Sequence, residues 1–192
     1  NLCDEKDDRN AALLWVNAST GEHGILATGV RNSFDGIWLD GVGYLFSDNG
    51  QDAEGDDFPP EEVNLLVEGS DYGWLVESVE DPNPAGTEAP LATWTPHSSV
   101  NGMTTRPANM PGDEYTVYAT VYGSWATVLP KGHQILKIDF SLTEDGWKGD
   151  VEVFGKDVGT PLPITGGPDG NLYYATFDHG GAVHKVMPQA NS

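Results

Sequence analysis

The feature that most constrains this chain is a repeat within it. Tyr118-Ala119-Thr120-Val121-Tyr122-Gly123 is echoed by Tyr174-Ala175-Thr176-Phe177, 56 residues later. Gly132-His133-Gln134-Ile135-Leu136-Lys137-Ile138 is echoed by Gly180-Gly181-Ala182-Val183-His184-Lys185-Val186, 48 residues later. Each unit reads as a strand, a glycine turn and a second strand. Periods of about 40–50 residues suit the blades of a β-propeller better than the shorter repeats of solenoids. The two units are then expected to form the inner part of four-stranded blades.

The rest of the text agrees with an all-β chain. Short apolar or alternating runs, broken by Gly, Asp and Asn, occur at Leu13–Val16, Gly36–Leu39, Gly43–Ser47, Tyr115–Tyr122, Gln134–Phe140 and Leu172–Phe177. Glu61 to Glu68, after Pro59-Pro60, fits either one or two helical turns or a strand. Trp15 is expected on the last strand of a preceding blade. Gly69 to Pro96 and Asn101 to Asp113 read as long excursions between strands. At about 40–50 residues per blade, residues 1–192 hold about three to four blades as one partial domain. A propeller closes with about four to eight blades. An open arc leaves strand edges unpaired, so the expected partner is a missing N-terminal half of the ring or a second chain.

Charge narrows the functions available. Nine Lys and Arg stand against 30 Asp and Glu, a formal net charge of −21. Such a field repels phosphate backbones and anionic lipid, which excludes nucleic acid as a natural partner. No apolar run approaches the length of a membrane span. Cys3 is the only cysteine, so the chain alone holds neither a disulfide framework nor a zinc site of the usual kind. Asn17-Ala18-Ser19 is an N-glycosylation sequon. No HExxH, GxSxG, P-loop or dinucleotide fingerprint is present.

Nine carboxylates crowd the stretch from Asp35 to Glu62. Oxygen-rich loops of this kind serve hard cations, but the spacing is not an EF-hand: counting from Asp48, Gly50 takes the third position and Ala53 the sixth. The stretch reads either as a calcium site of irregular type or as a solvated acidic loop. Just upstream lie Arg31 and Asn32. Arg31 is one of only three arginines, and its guanidinium could fork onto a ligand carboxylate or pair with a nearby Asp. His97, in Trp94-Thr95-Pro96-His97-Ser98, is either a base in a loop or an ordinary loop histidine.

Several phrases, in order, resemble the soluble quinoprotein glucose/sorbosone dehydrogenase family. They are Cys3-Asp4-Glu5 through Arg9-Asn10-Ala11-Ala12, Gly29-Val30-Arg31-Asn32, Ser47-Asp48-Asn49-Gly50-Gln51-Asp52, Gly55 to Asn64, and Gly69-Ser70-Asp71-Tyr72-Gly73-Trp74. His97 to Gly102, Gly123-Ser124-Trp125 and Pro168-Asp169-Gly170-Asn171-Leu172-Tyr173 complete the series. The resemblance implies a six-bladed propeller, of which this chain is the C-terminal half, secreted or periplasmic. It implies that the whole oxidises a sugar or sugar aldehyde by hydride transfer to pyrroloquinoline quinone (PQQ), assisted by calcium. Arg31 and Asn32 would contact the quinone, and the backbone carbonyls of Gly50 and Gln51 would bind the calcium. The family's base histidine belongs to the half not present here. The sequence departs from the pattern at Ala126-Thr127-Val128 and Thr160-Pro161-Leu162, where basic residues are expected, and at Leu75, where proline is usual. A non-catalytic, calcium-stabilised propeller that binds carbohydrate or a protein partner is the alternative.

Overall fold

A computed structural model describes residues 6–52, 54–124, 127–178 and 180–188. Cys3, Trp125, Ala126 and His179 lie outside the described residues. Thirteen strands and no helix occur among the described residues. The first sheet pairs β1 (Ala12–Val16) with β2 (His23–Thr28). The second runs in sequence order through β3 (Gly36–Leu39), β4 (Gly43–Asp48), β5 (Glu61–Leu65) and β6 (Ala92–Trp94). The third does the same through β7 (Val100–Thr105), β8 (Thr116–Val121), β9 (Gln134–Thr143) and β10 (Gly146–Lys156). The last holds β11 (Pro161–Gly166), β12 (Leu172–Thr176) and β13 (Val183–Val186). All pairings within the sheets are antiparallel. Two complete four-stranded sheets flanked by a pair and a triplet are the blades of an open propeller arc.

Period-two alternation explains how the sheets stack. On β8, Val117, Ala119 and Val121 face the second sheet, where they join Leu39, Leu45 and Val63. Tyr118, between them, points the other way and packs with Ile135, Ile164 and Leu172 against the last sheet. Its ring meets Phe154 edge-on at 5.0 Å, and its hydroxyl donates to the Pro111 carbonyl at 2.8 Å. The same division recurs on β4: Leu45 faces the third sheet, while Phe46 packs with Ala27, Val30 and Tyr72 toward the first. A strand buried on both faces needs apolar or β-branched residues at every position, which is what Thr116–Val121 supplies. Burying each large side chain stabilises by about 1.5–3 kcal/mol.

Of the two readings open at Glu61 to Glu68 the strand holds, as Glu61–Leu65, because pairing with β4 and β6 satisfies both of its edges. Other expectations are corrected. The stretch from Asn101 to Asp113 is only partly a loop: Val100–Thr105 forms β7 and pairs with β8 through a register shift between Val100 and Met103. Its Asn-Gly-Met-Thr text has weak strand propensity, and tertiary packing overrides it. The stretch from Gly69 to Pro96 likewise contains the three-residue β6. Trp15 is not on a last strand, since β2 follows and pairs with it. β3, β7 and β11 lie side by side along one edge of the arc, with β6 and β10 toward the other, so β8–β9 and β12–β13 are second and third strands.

Candidate functional site

The acidic stretch lies at one end of the sheets, where the chain leaves β2, β4 and β6. Its geometry starts at Gly29. Thr28 donates its amide to the Ser70 carbonyl at 3.0 Å, and Tyr72 and Trp74 donate theirs to the carbonyls of Thr28 (3.0 Å) and Gly29 (2.9 Å). The Gly69–Trp74 phrase thus runs alongside the end of β2. Gly29 has φ of +71°, and a Cβ there would lie 2.7 Å from the amide nitrogens of both Tyr72 and Gly73. Only glycine fits so close an approach. The chain then turns inward at Val30 and presents Arg31 and Asn32.

Asp48, at the end of β4, fixes both of them by their backbone. Its Oδ2 accepts from the Arg31 amide at 2.9 Å and its Oδ1 from the Asn32 amide at 2.6 Å. The Arg31 side chain turns back onto the following loop. Its Nη1 donates to the carbonyls of Asn49 (2.9 Å) and Gly50, and its Nη2 reaches Asp52 Oδ2 at 3.4 Å. The guanidinium also lies over the Trp74 ring, 5.7 Å from its centroid, a favourable cation–π placement. Arg31 therefore joins the Gly50 carbonyl and an Asp in one arrangement.

Glu61 stitches the loops together. Its Oε2 accepts from the Gly50 amide at 3.0 Å and its Oε1 from the Ser99 amide at 2.8 Å. His97 is 8% exposed, with φ of +58°. Its Nε2 lies 2.6 Å from the Gly55 carbonyl and its Nδ1 3.8 Å from Asp52 Oδ1. The Asp56 carbonyl accepts from Lys131 Nζ, bringing in the loop that precedes β9. The sequence-derived candidates Arg31, Asn32, Gly50, Gln51 and His97 thus gather in one loop cluster. Asp48 and Glu61, which the sequence places among the nine carboxylates of the stretch, organise it together with Trp74. Trp74 appears in the sequence only within the Gly69–Trp74 phrase.

Arg31, Asp48, Asn49, Gly50, Glu62 and Trp74 line a small cavity beneath the loop, together with Glu77. Burial raises three of its carboxyls: Asp48 to about 6, against the lowering pull of three backbone amides, Glu62 to about 8 and Glu77 to about 7. Mutual repulsion adds to burial at Glu62 and Glu77. Among the described residues no group of three or more His, Cys, Asp or Glu side chains stands in metal-holding geometry. Three buried oxygens or nitrogens here lack a hydrogen-bond partner: Asn49 Oδ1, Gln51 Oε1 and His97 Nδ1. Buried polar atoms are rarely left so.

No protein-family model matches the sequence. An uncharacterized protein of Borreliella burgdorferi is 28% identical over 205 residues, covering 93% of this chain and 52% of that protein. The soluble aldose sugar dehydrogenase of Escherichia coli, in its apo form, superposes with a TM-score of 0.64 at 20% identity, over 86% of this chain and 47% of that one. The PQQ-bound aldose sugar dehydrogenase of Streptomyces coelicolor superposes with a TM-score of 0.60 at 20% identity, over 89% and 46%. The fold is that of these sugar dehydrogenases. The chain spans about half the length of each protein it matches. The family resemblance seen in the sequence therefore has its counterpart in three dimensions, as a partial propeller.

Toward a hard cation this half-propeller offers two oxygens, and toward an anionic cofactor one guanidinium and one amide. The Gly50 carbonyl is held in place by Arg31 and keeps a second lone pair. The partnerless Gln51 Oε1 offers another hard oxygen nearby. For an anionic cofactor the cluster supplies the Arg31 guanidinium and the exposed Asn32 amide. Thr160 and Leu162 stand where the family resemblance leads one to expect further arginines.

Proposed function

We propose that this chain is the C-terminal half of an extracytoplasmic sugar-dehydrogenase-like propeller, and that residues 1–192 form one partial domain. The whole would oxidise a sugar or sugar aldehyde. The observation that carries the reading is the joining of Arg31 to the Gly50 carbonyl on a fold shared with sugar dehydrogenases. The Gly50 and Gln51 carbonyls would hold calcium, and Arg31 with Asn32 would hold a carboxylate or carbonyl of PQQ. When bound, the quinone supplies a hydride acceptor whose electrophilicity the calcium raises.

The chain's own residues would do the positioning. Asp48 fixes the backbone of Arg31 and Asn32, and Glu61 fixes the calcium loop against Ser99. To meet an anionic cofactor, Arg31 must exchange its bond to Asp52 for the incoming carboxylate. That bond is long, at 3.4 Å, and Asp52 is exposed, so the exchange costs little. His97 is buried and its Nε2 is tied to Gly55. In this reading it orders the loop, and the base that takes the hydroxyl proton lies in the other half of the ring. The sugar and that other half are the expected partners.

The rival reading is a calcium-stabilised propeller without catalysis, and the shortage of basic side chains around Arg31 favours it. Titrating PQQ into the chain co-expressed with the other half of its ring, with calcium present, and following quenching of tryptophan fluorescence, separates the two. Saturable quenching, weakened at least tenfold in Arg31→Ala, supports the dehydrogenase reading. No quenching, with a calcium-dependent rise in melting temperature, overturns it in favour of the rival.

A further inference from the structure

A second groove lies at the opposite end of the sheets. β4 runs from Gly43, which pairs with the groove residue Leu39, to Asp48 at the acidic cluster, five residue steps of about 3.3 Å, or about 17 Å. The β3–β4 turn and the β7–β8 connection enclose about 590 Å³ between them, within the usual range for small-molecule sites. Both walls belong to the two complete four-stranded sheets, so the groove does not arise from the unpaired ends of the arc.

One side carries Trp38, 66% exposed although it sits on a strand. Its ring is held in place: Nε1 donates to Asp40 Oδ1 at 3.1 Å. The bond lies in the plane of the indole and leaves the ring faces to solvent. The opposite wall is equally fixed. Arg106 Nε donates to the Asp113 carbonyl at 2.8 Å and Nη1 to the Met110 carbonyl at 3.1 Å. Among the described residues Arg106 makes no ion pair. Asp113 Oδ1 accepts from the Tyr115 amide at 2.8 Å, and Glu114 beside it is exposed. The Tyr115 ring rests on Trp147, 5.0 Å between centroids, and closes against Gly41.

We propose that this groove is a carbohydrate-binding subsite for a short pyranose oligosaccharide, with Trp38 as its stacking platform. A pyranose has one apolar C–H face for the indole and a rim of hydroxyls that both donate and accept. The groove pairs an aromatic face with carboxylate acceptors and a guanidinium donor, which matches both properties at once. An alkylammonium ligand would also stack on the indole, but it carries no hydroxyl to accept from the Arg106 guanidinium, which a sugar rim supplies. The proposal is independent of quinone or calcium binding, since the groove shares no residue with the cluster around Arg31.

The test is saturation-transfer-difference NMR on the full chain, with maltotriose, cellotriose and tetramethylammonium as separate probes. Saturation transfer to the ring C–H protons of a trisaccharide, reduced at least tenfold in Trp38→Ala and partly retained in Trp38→Phe, is the expected result. Chelation of calcium should leave the signal unchanged, which separates this site from the proposed calcium and cofactor site. Transfer to neither trisaccharide, equal transfer in Trp38→Ala, or transfer to tetramethylammonium alone would each overturn the proposal.

Discussion

Replacing Glu62 by Gln should stabilise this protein at neutral and alkaline pH, by an amount that shrinks toward pH 5 and vanishes only below about pH 4. Glu62 opposes Asp48 across β4 and β5, and its Oε2 accepts from Asn64 Nδ2 at 3.1 Å. Burial, with Asp48, Glu61 and Glu77 as like charges, pushes its carboxyl up to about 8. An unfolded glutamate titrates near 4.3. Between these values the folded chain binds a proton that the unfolded chain has released, so stability falls as pH rises through that window. The penalty is complete only above about pH 8. At roughly 1.4 kcal/mol per pH unit the ceiling at pH 8 is about 4–5 kcal/mol, and water entering the cavity brings it to roughly 2 kcal/mol. Gln keeps the shape and the acceptor for Asn64 but has nothing to ionise. For a chain of this size about 2 kcal/mol corresponds to about 4–8 °C in melting temperature. Thermal unfolding by circular dichroism from pH 5 to 8.5, with chelator present, measures it. A gap between variant and parent that is the same at pH 5 and pH 8 would refute the reasoning, as would a variant less stable at pH 8.

Substitutions at three further positions test the architecture. Gly29→Ala should cost about 3 kcal/mol or more, read as a lower urea midpoint, because its Cβ meets two backbone nitrogens at 2.7 Å in a left-handed conformation. Arg31→Ala should release the 49–57 loop and speed limited proteolysis there, while costing only about 1–2 kcal/mol of global stability; unchanged cleavage would show that the guanidinium does not order the loop. Lys137→Ala should cost about 1–2 kcal/mol at pH 7: Lys137 is 9% exposed and bonds both Asp139 and Glu152 (2.9 Å to the latter), but both carboxylates keep solvent contact. Lys137→Met, which keeps the stem, should recover part of that loss.

The repeat made the stacked sheets legible before any coordinate, because a blade's middle strands carry dense β-branched and aromatic text. Thr116–Val121 and Gln134–Phe140 are of this kind. β7 escaped notice because its inner position asks for small polar residues: Asn101 and Gly102 are buried there, and the Gly102 amide donates to Thr120 Oγ1 at 3.0 Å. Edge strand β6 escaped because three residues leave no periodic signature. Long-range pairing decides both, and no local window contains it.

The acidic loop shows the same limit in its chemistry. Composition counts nine carboxylates as equivalent, whereas the fold gives them separate work. Asp35 Oδ2 accepts from the Met103 amide at 2.9 Å and ties β3 to β7; Asp48 carries Arg31 and Asn32; Glu61 bridges two loops; Glu62 is buried at a cost. Each accepts backbone amides or opposes a like charge, so none of the four is free to serve as an ordinary calcium ligand. What remains for a hard cation is the set of backbone and amide oxygens at Gly50 and Gln51, held in position by those carboxylates. The charge density that draws attention to the loop is thus scaffolding for neutral oxygens. A calcium titration that survives Asp52→Asn but fails when the Glu61 bridge is removed in Glu61→Ala would follow from that division of labour.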